Sequence, residues 1–352
     1  MGLWAILKSF WNLNEPTSSK TNTLTNKASD SHSTPDVEWW ECSPQIKDNS
    51  VIFEKPEELS FIKKLRQSLA EDQLHLINIP ENINEVLAII NKNDFNYPHI
   101  AELIKRDPAL TGDLLSTVNS ASFSRGVKIS KVAEALPRLG RTVIRSVLYM
   151  HLNKSNVPEN PFYEQIANDI INKSTVVANI AYHLSRKFYP DKDQAFLAGL
   201  LHDIGKLAIL NQCAESFQLP ENIDDLIAEQ ALFKEIFPEH QQKCGAMLAR
   251  HWNLDSAIVD AIRWNHRVDE VESKDNDDSH IKLAALINLS DQFARLLGYG
   301  TAIQAHNIFE TTAAKILGIE DNHANRQSFR RIPDLFEGSV GEHKEILDAT
   351  LA

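Results

Sequence analysis

The sequence predicts an all-α protein, because apolar residues recur at helical spacing along most of the chain and no run alternates as a half-buried strand would. The breaks between these segments carry residues typical of helix ends. Asp107 and Pro108 are an N-cap and first-turn pair, and Leu139-Gly140 suits a helix end. Pro137, just before that end, should shorten or kink its helix.

Further segments with helical periodicity fill the rest of the chain. Numerous short helices of this kind indicate a globular bundle rather than a coiled coil. We predict them at about 57–76, 108–119, 161–188, 191–211, 221–235, 238–252, 255–266, 280–298 and 302–317.

The N-terminal region differs in composition. Residues 1–13 place Leu3, Trp4 and Phe10 at helical spacing and predict a short amphipathic helix that docks on its own protein or on a partner. Membrane contact through this helix is the less favoured alternative, since Lys8 is its one basic residue. Residues 14–36 are rich in Ser, Thr and Asn and predict a flexible linker.

Residues 37–71 predict an irregular segment and a lead-in helix. Structure should resume near Trp39 and Trp40. This pair is either a hot spot for a partner or, more commonly for such rings, packed against the globular body.

Composition narrows the function. The 352 residues carry a formal net charge of −12, which argues against nucleic acid as a partner because duplex binding usually needs a clustered basic face. No stretch approaches the roughly 20 apolar residues that span a bilayer, and no signal peptide is recognisable. The three cysteines are far apart, which suits a reducing compartment. We therefore expect a cytoplasmic protein.

The most informative segment is Leu201–Leu210, which sets polar residues inside an apolar helical run. With His202 at zero, Lys206 falls at about 40° and Asp203 at about 100°, so all three share one sector of the helix. Such groups are costly to bury without partners. A metal, a phosphate or another side chain is expected to meet them.

A metal hydrolase needs His and carboxylate ligands from several helices around one open coordination position. The candidate ligands are His202, Asp203, His240, His266 and Asp291.

At these residues the sequence resembles a known family. Residues 200–207, followed by 240–248 and Trp252-Asn253-Leu254, are similar to the HD superfamily of phosphohydrolases, and more narrowly to the HD-related output domain, HDOD. Upstream, residues 103–111, 118–121 and 135–140 resemble the N-terminal subdomain of that family in order and spacing.

The resemblance covers residues 72–298 and implies two helical subdomains, at about 72–153 and 161–298. Residues 299–352 would then form a C-terminal helical extension.

The resemblance also exposes a departure. Active HD hydrolases present a metal-binding His one long helix upstream of the His-Asp pair, and the matching residue here is Lys173. A protonated Lys has no lone pair to donate and places positive charge where a dication would lie. The later His-His pair of active relatives corresponds to Asn265-His266, a second partial loss.

Two functions therefore compete. In the enzymatic interpretation, His202, Asp203, His240 and Asp291 hold iron, manganese or zinc, whose water attacks a phosphate ester. Asp203 would then be catalytic, and so would Lys206, near the substrate phosphate.

The favoured interpretation is that this set, with His266, is vestigial. Lys173 would pair with Asp203 in place of the metal, with no catalytic residue and no cofactor. The resemblance then implies a non-catalytic output or adaptor module of a bacterial regulatory protein, which binds a signalling protein or a regulatory nucleotide.

Overall fold

Helices make up the regular structure of the computed structural model, and its described residues contain no strand. The all-α prediction is confirmed. No helix in this part of the chain is long and apolar enough to cross a membrane. The described residues are 38–41, 63, 66–67, 79–91, 96–119, 127–155, 157–216, 232–271, 278–301, 303 and 306–336.

Several sequence predictions fall outside these residues. They are the amphipathic helix at 1–13, the linker at 14–36, and most of the segments at 37–71 and 221–235.

Four helices form the N-terminal half of the chain as far as its residues are described. Asp107 caps the third of them as predicted, because its Oδ1 accepts hydrogen bonds from the backbone N–H groups of Ala109 (3.0 Å) and Leu110 (2.9 Å). The fourth kinks at Gly140, whose φ of 77° lies in the left-handed region. The helices are α1 (Glu81–Asn91), α2 (Tyr97–Ile104), α3 (Pro108–Asn119) and α4 (Val132–Ser155).

A buried histidine on α4 ties the two longest of these helices together. His151 Nδ1 lies 2.9 Å from Asp113 Oδ2 on α3, and its Nε2 lies 3.2 Å from Oδ2 of the capping Asp107. The N-terminal half is thus held by a buried polar contact as well as by its apolar core.

The longest helix, α5 (Pro161–Phe188), organises the second half. It packs against α6, α7 and α10 and buries most of its middle residues. The following helices are α6 (Lys192–Leu201), α7 (Ile204–Ser216), α8 (Phe237–His251), α9 (Ser256–Trp264) and α10 (Asp278–Leu296).

Two predicted helices are divided. The segment 191–211 breaks at His202 and Asp203, so this pair lies in a turn between α6 and α7 rather than inside one helix. The prediction at 302–317 was also too long. Thr311 caps a short helix, α11 (Thr312–Ile316), by accepting from the N–H of Ala314, and the residues before it form a separate 3-10 turn.

The two ends of the described chain meet on the second half. Trp39 and Trp40 form a 3-10 turn, and both rings are buried against the protein, as expected for rings that pack on the globular body. They contact the last helix, α12 (His323–Arg330).

Candidate functional site

The turn between α6 and α7 places His202 and Asp203 in the interior, where each is at most 3% exposed. His202 Nδ1 lies 2.8 Å from the carbonyl oxygen of Gly199. A carbonyl only accepts, so Nδ1 carries a proton and the ring is fixed with Nε2 facing the carboxylates.

Lys173 on α5 enters the same interior and contacts two carboxylates. Its Nζ lies 2.9 Å from Asp203 Oδ2 and 2.5 Å from Asp291 Oδ1. The Lys173–Asp203 contact is the one expected from the sequence, and the contact with Asp291 on α10 adds a third helix. The side chains of all three residues are at most 8% exposed.

Two further cationic groups crowd the same carboxylate. Lys206 Nζ on α7 lies 2.7 Å from Asp203 Oδ2, and His202 Nε2 lies 3.3 Å from that oxygen and 3.4 Å from Asp291 Oδ1. We call these five residues, Lys173, His202, Asp203, Lys206 and Asp291, the ion-pair cluster.

Electrostatics keep the cluster ionised despite its burial. Burial alone would raise the pKa values of Asp203 and Asp291. His202, Lys173 and Lys206 hold the pKa of Asp203 well below the ordinary range, and Lys173, His202 and His266 do the same for Asp291. Burial would lower the pKa of Lys173, yet the carboxylates of Asp203 and Asp291 raise it above its usual value.

The pKa values of the other two basic groups, His202 and Lys206, shift in opposite directions. Burial opposes the charged form of His202, but Asp203 raises the pKa of His202 overall. Burial lowers the pKa of Lys206, since Asp203 compensates it only in part.

His266 contacts the cluster from its edge. Its Nε2 lies 3.2 Å from Asp203 Oδ1, and burial lowers the pKa of its ring. Because the carboxylate only accepts, Nε2 carries the proton in this contact. Neighbouring Asn265 turns instead to the backbone, donating to the carbonyl oxygens of Ile262 (3.1 Å) and His202 (3.4 Å).

His240 stands apart from the other sequence-derived candidates. It lies on α8, and its Nε2 is 3.6 Å from Glu239 Oε1. Burial lowers its pKa, and the charges that act on it are Glu239, Arg66 and Lys243. Within the described residues, no hydrogen bond or ion pair joins His240 to the ion-pair cluster.

Two glycines that the sequence reasoning missed shape the site. A Cβ at Gly300 would lie 2.8 Å from Lys173 Cδ, so the loop after α10 closes over the lysine stem. A Cβ at Gly205 would lie 1.8 Å from the carbonyl oxygen of Gln241, so α7 and α8 cross with their backbones nearly touching. The position of Gly205 directly after the His-Asp-Ile run was the available signal for the second.

Three residues of the site carry atoms that could coordinate the metal that HD hydrolases use. His202, Asp203 and Asp291 each offer a ligand atom within 4.8 Å of the others. Lys173 Nζ already contacts the oxygens of both carboxylates, and an ammonium repels a dication and cannot ligate it. The residues in this arrangement therefore do not fit a divalent ion.

Comparison with known proteins agrees with this fold and helix order. The model of the HDOD domain matches residues 76–268, more than half of the chain. The chain belongs to the HDOD family. The family prediction made from the sequence is confirmed, and the matched range lies within the predicted 72–298.

Solved structures share the HDOD fold at low sequence identity. An HDOD domain protein of unknown function from Geobacter sulfurreducens is 20% identical with a TM-score of 0.53, covering 83% of this chain and 99% of its own. A protein from Shewanella amazonensis SB2B, whose name suggests phosphohydrolase activity, is 21% identical with a TM-score of 0.54, covering 82% and 98%. At these identities the likeness establishes the fold alone.

A curated relative of this HDOD protein is an uncharacterised protein of Treponema pallidum (strain Nichols). It is 26% identical over 220 residues, which cover 58% of this chain and 40% of the relative. The chain thus spans less than half the length of that relative.

Proposed function

We propose that this HDOD protein is a non-catalytic output or adaptor module of a signalling system, in which Lys173 replaces the metal of HD hydrolases. The observation that carries the proposal is the contact of Lys173 Nζ with both Asp203 and Asp291. Those carboxylates are candidate ligands in the enzymatic interpretation, so the ammonium competes directly with a metal for them.

The charge of the cluster supports the same conclusion. Lys173 and Lys206 balance the carboxylates of Asp203 and Asp291, and a protonated His202 adds one more positive charge. A divalent ion would add two positive charges to a buried group that already has no negative excess. The site is therefore built to hold α5, α7 and α10 together rather than to activate water.

Without catalysis, the function of the protein is to bind another molecule. A signalling protein or a regulatory nucleotide would bind the helical surface and would not be hydrolysed. A solved structure from Marinobacter aquaeolei VT8, named for a role in signal transduction, is 19% identical with a TM-score of 0.50, which is compatible with this proposal. We propose a cytoplasmic location, because the three cysteines are far apart in the sequence, which suits a reducing compartment.

The competing function is a metal-dependent phosphohydrolase. The three ligand atoms of His202, Asp203 and Asp291 favour it, since they lie close enough for one ion. It requires that Lys173 leave both carboxylates and that a fourth ligand come from elsewhere. Asp203 and Lys206 would then be the catalytic residues.

Metal content separates the two functions. Protein purified without added metal should hold well under one iron, manganese or zinc ion per chain. Lys173→His, which removes the ammonium and supplies a lone pair, should take up zinc or manganese when titrated. Stoichiometric metal in the wild-type protein, lost in Asp203→Ala, would overturn the proposal.

An activity assay completes the test. The wild-type protein should not cleave a cyclic dinucleotide with manganese or iron present. A regulatory nucleotide that binds without turnover should raise the melting temperature, and the stabilisation should grow with the logarithm of the ratio of its concentration to its Kd. Turnover that Asp203→Ala abolishes would instead support the phosphohydrolase.

A further inference from the structure

We propose that residues Glu38–Trp40 form a strap that couples helix α12 to the ion-pair cluster. The strap would control how firmly α5 and α10, which supply Lys173 and Asp291, are held together. This inference deepens the proposed function, because it names a route by which a bound partner could act on the same cluster.

The first part of the strap is a buried charge. Glu38 is 6% exposed, and Arg330 on α12 binds it in bidentate fashion. Arg330 Nε lies 3.0 and 2.9 Å from the two carboxylate oxygens, and Nη2 lies 2.5 Å from Oε1. Such a planar pair fixes orientation as well as distance. Glu38 thus anchors the strap to α12 at a defined place.

The two tryptophans extend the contact to α10. Trp39 Nε1 donates to the carbonyl oxygen of Phe329 at 3.2 Å, and its ring lies 5.5 Å from that of Phe293 on α10. The Trp40 ring meets Phe329 edge to face at 5.7 Å. Aromatic pairs of this geometry stabilise beyond their buried area. The strap therefore bridges α12 and α10.

Helix α12 also contacts α5. Lys187 Nζ lies 2.5 Å from Asn325 Oδ1, and His183 Nε2 lies 3.3 Å from the carbonyl oxygen of Ser328. Both Lys187 and His183 are on the helix that carries Lys173. The strap and α12 together therefore touch both helices of the Lys173–Asp291 ion pair.

The geometry of α10 supplies the coupling. Asp291 and Phe293 are two residues apart, which places them about 200° apart around the helix. Asp291 faces Lys173 while Phe293 faces Trp39. Helix α10 is therefore held between the ion-pair cluster on one face and the strap on the other.

Release of the strap would remove Trp39 from one face of α10 and loosen α12, whose Phe329 packs on Phe293 at 4.9 Å. Helix α10 could then move away from α5 and lengthen the Lys173–Asp291 contact. A partner that displaces Glu38–Trp40 from α12 would loosen the cluster without touching it. Packed interfaces convert small shifts of this kind into discrete states.

Hydrogen exchange of the full chain, followed by mass spectrometry, tests the coupling. Glu38→Gln keeps the shape of the side chain but removes its charge. We expect amides of α12, of α10 around Asp291 and of α5 around Lys173 to exchange roughly tenfold faster, with α3 unchanged. Glu102→Gln is the matched control, because it removes the same charge from an exposed ion pair with Lys105, on α2 and away from Glu38.

The outcomes are distinct. Faster exchange in α12 alone, or equal effects of Glu38→Gln and Glu102→Gln on α10, would overturn the coupling. So would faster exchange throughout the protein, α3 included. If Glu38→Gln does not fold, Trp39→Phe serves instead. It removes the hydrogen bond to the carbonyl oxygen of Phe329 and reduces the ring that packs on Phe293, but it keeps Glu38, and it should give the same regional pattern at smaller amplitude.

This test does not depend on metal content. Stoichiometric metal in the wild-type protein would overturn the proposed function, whereas the exchange pattern alone decides the strap.

Discussion

Lys173 is the residue on which the interior of the second half depends. Its ammonium makes the shortest contact with Asp291 and also contacts Asp203, and each carboxylate comes from a different element. Asp203 also has Lys206 and His202 as partners, whereas Asp291 has His202 only at the longer distance of 3.4 Å. Removal of Lys173 would therefore leave Asp291, more than Asp203, without a compensating positive charge.

Lys173→Met should lower the free energy of unfolding by about 3–5 kcal/mol, because it leaves a buried carboxylate without adequate compensation. Chemical denaturation measures the loss. Adding Asp291→Asn to this variant should recover much of it, since the uncompensated charge is then gone. Exposed Lys315→Met is the control and should change stability by no more than about 0.5 kcal/mol. If Lys173→Met left the free energy of unfolding unchanged, Asp291 would not depend on the lysine.

Gly300 holds the lysine stem in place, and a pair of glycine variants isolates that role. Gly300 and Gly318 have φ of 80° and 66°, so alanine at either should cost about 1–2 kcal/mol in backbone strain. Only at Gly300 would the new Cβ meet Lys173 Cδ, at 2.8 Å, while at Gly318 it meets nothing within 4 Å.

Gly300→Ala should therefore destabilise more than Gly318→Ala, because Lys173 cannot yield while two carboxylates hold its Nζ. Thermal and chemical unfolding of the two variants provide the comparison. Equal losses would mean that the loop does not position the lysine.

At the scale of elements, the crossing of α7 and α8 sets where Asp203 and Lys206 meet the rest of the site. The two helices approach at Gly205, where a Cβ would lie 1.8 Å from Gln241 O and 2.6 Å from Gly245 N. These are backbone atoms, which cannot rotate away as a side chain does.

Gly205→Ala should therefore force the helices apart and cost at least about 3 kcal/mol, the upper range for overpacked sites. Gly112→Ala is the matched control within α3. A Cβ there meets nothing within 4 Å, and alanine should be neutral or stabilise the helix by up to about 1 kcal/mol. Soluble yield and the midpoint of denaturant unfolding report both effects. Similar behaviour of the two variants would rule out the close crossing.

The same elements explain what the sequence could predict. Periodicity located α5 at Pro161–Phe188 without error, and Asp107 marked a cap that the structure contains. Gly140, expected to end a helix, is instead the kink within α4. The break at His202 and Asp203 was not visible, because the segment is apolar on both sides and only the packing of α6 against α5 shows where it turns.

The site was predictable only in part for a similar reason. Spacing and family resemblance singled out Lys173 and Asp203, but the distances to Asp291 and Gly300 depend on helices far apart in sequence. His240 matches the family in its spacing, yet the charges that act on it are those of Arg66 and Glu239 rather than those of the cluster.

For the whole molecule, the ion-pair cluster links folding to pH. Asp203 and Asp291 have pKa values well below their ordinary value of 3.8 in the folded protein. A depressed carboxyl pKa contributes stability that is present above the unfolded value and is lost as pH falls through the folded value. Lys173 has the opposite sign, so its contribution persists below its ordinary value of 10.5 and is lost only at more alkaline pH.

We therefore expect the free energy of unfolding to fall steeply as pH drops below 3.8, because the unfolded chain takes up protons that the folded cluster refuses. Denaturant unfolding at a series of pH values measures this slope. In Lys173→Met, Asp291 loses its chief cationic neighbour and its pKa rises. The free energy of unfolding should then fall less steeply at acid pH, even though the variant is less stable at neutral pH. Asp321→Asn removes a carboxylate whose pKa Arg326 lowers at the surface, where solvent screens the pair, and it should leave most of the slope intact. An acid slope that Lys173→Met leaves unchanged would place the source of acid sensitivity outside the cluster.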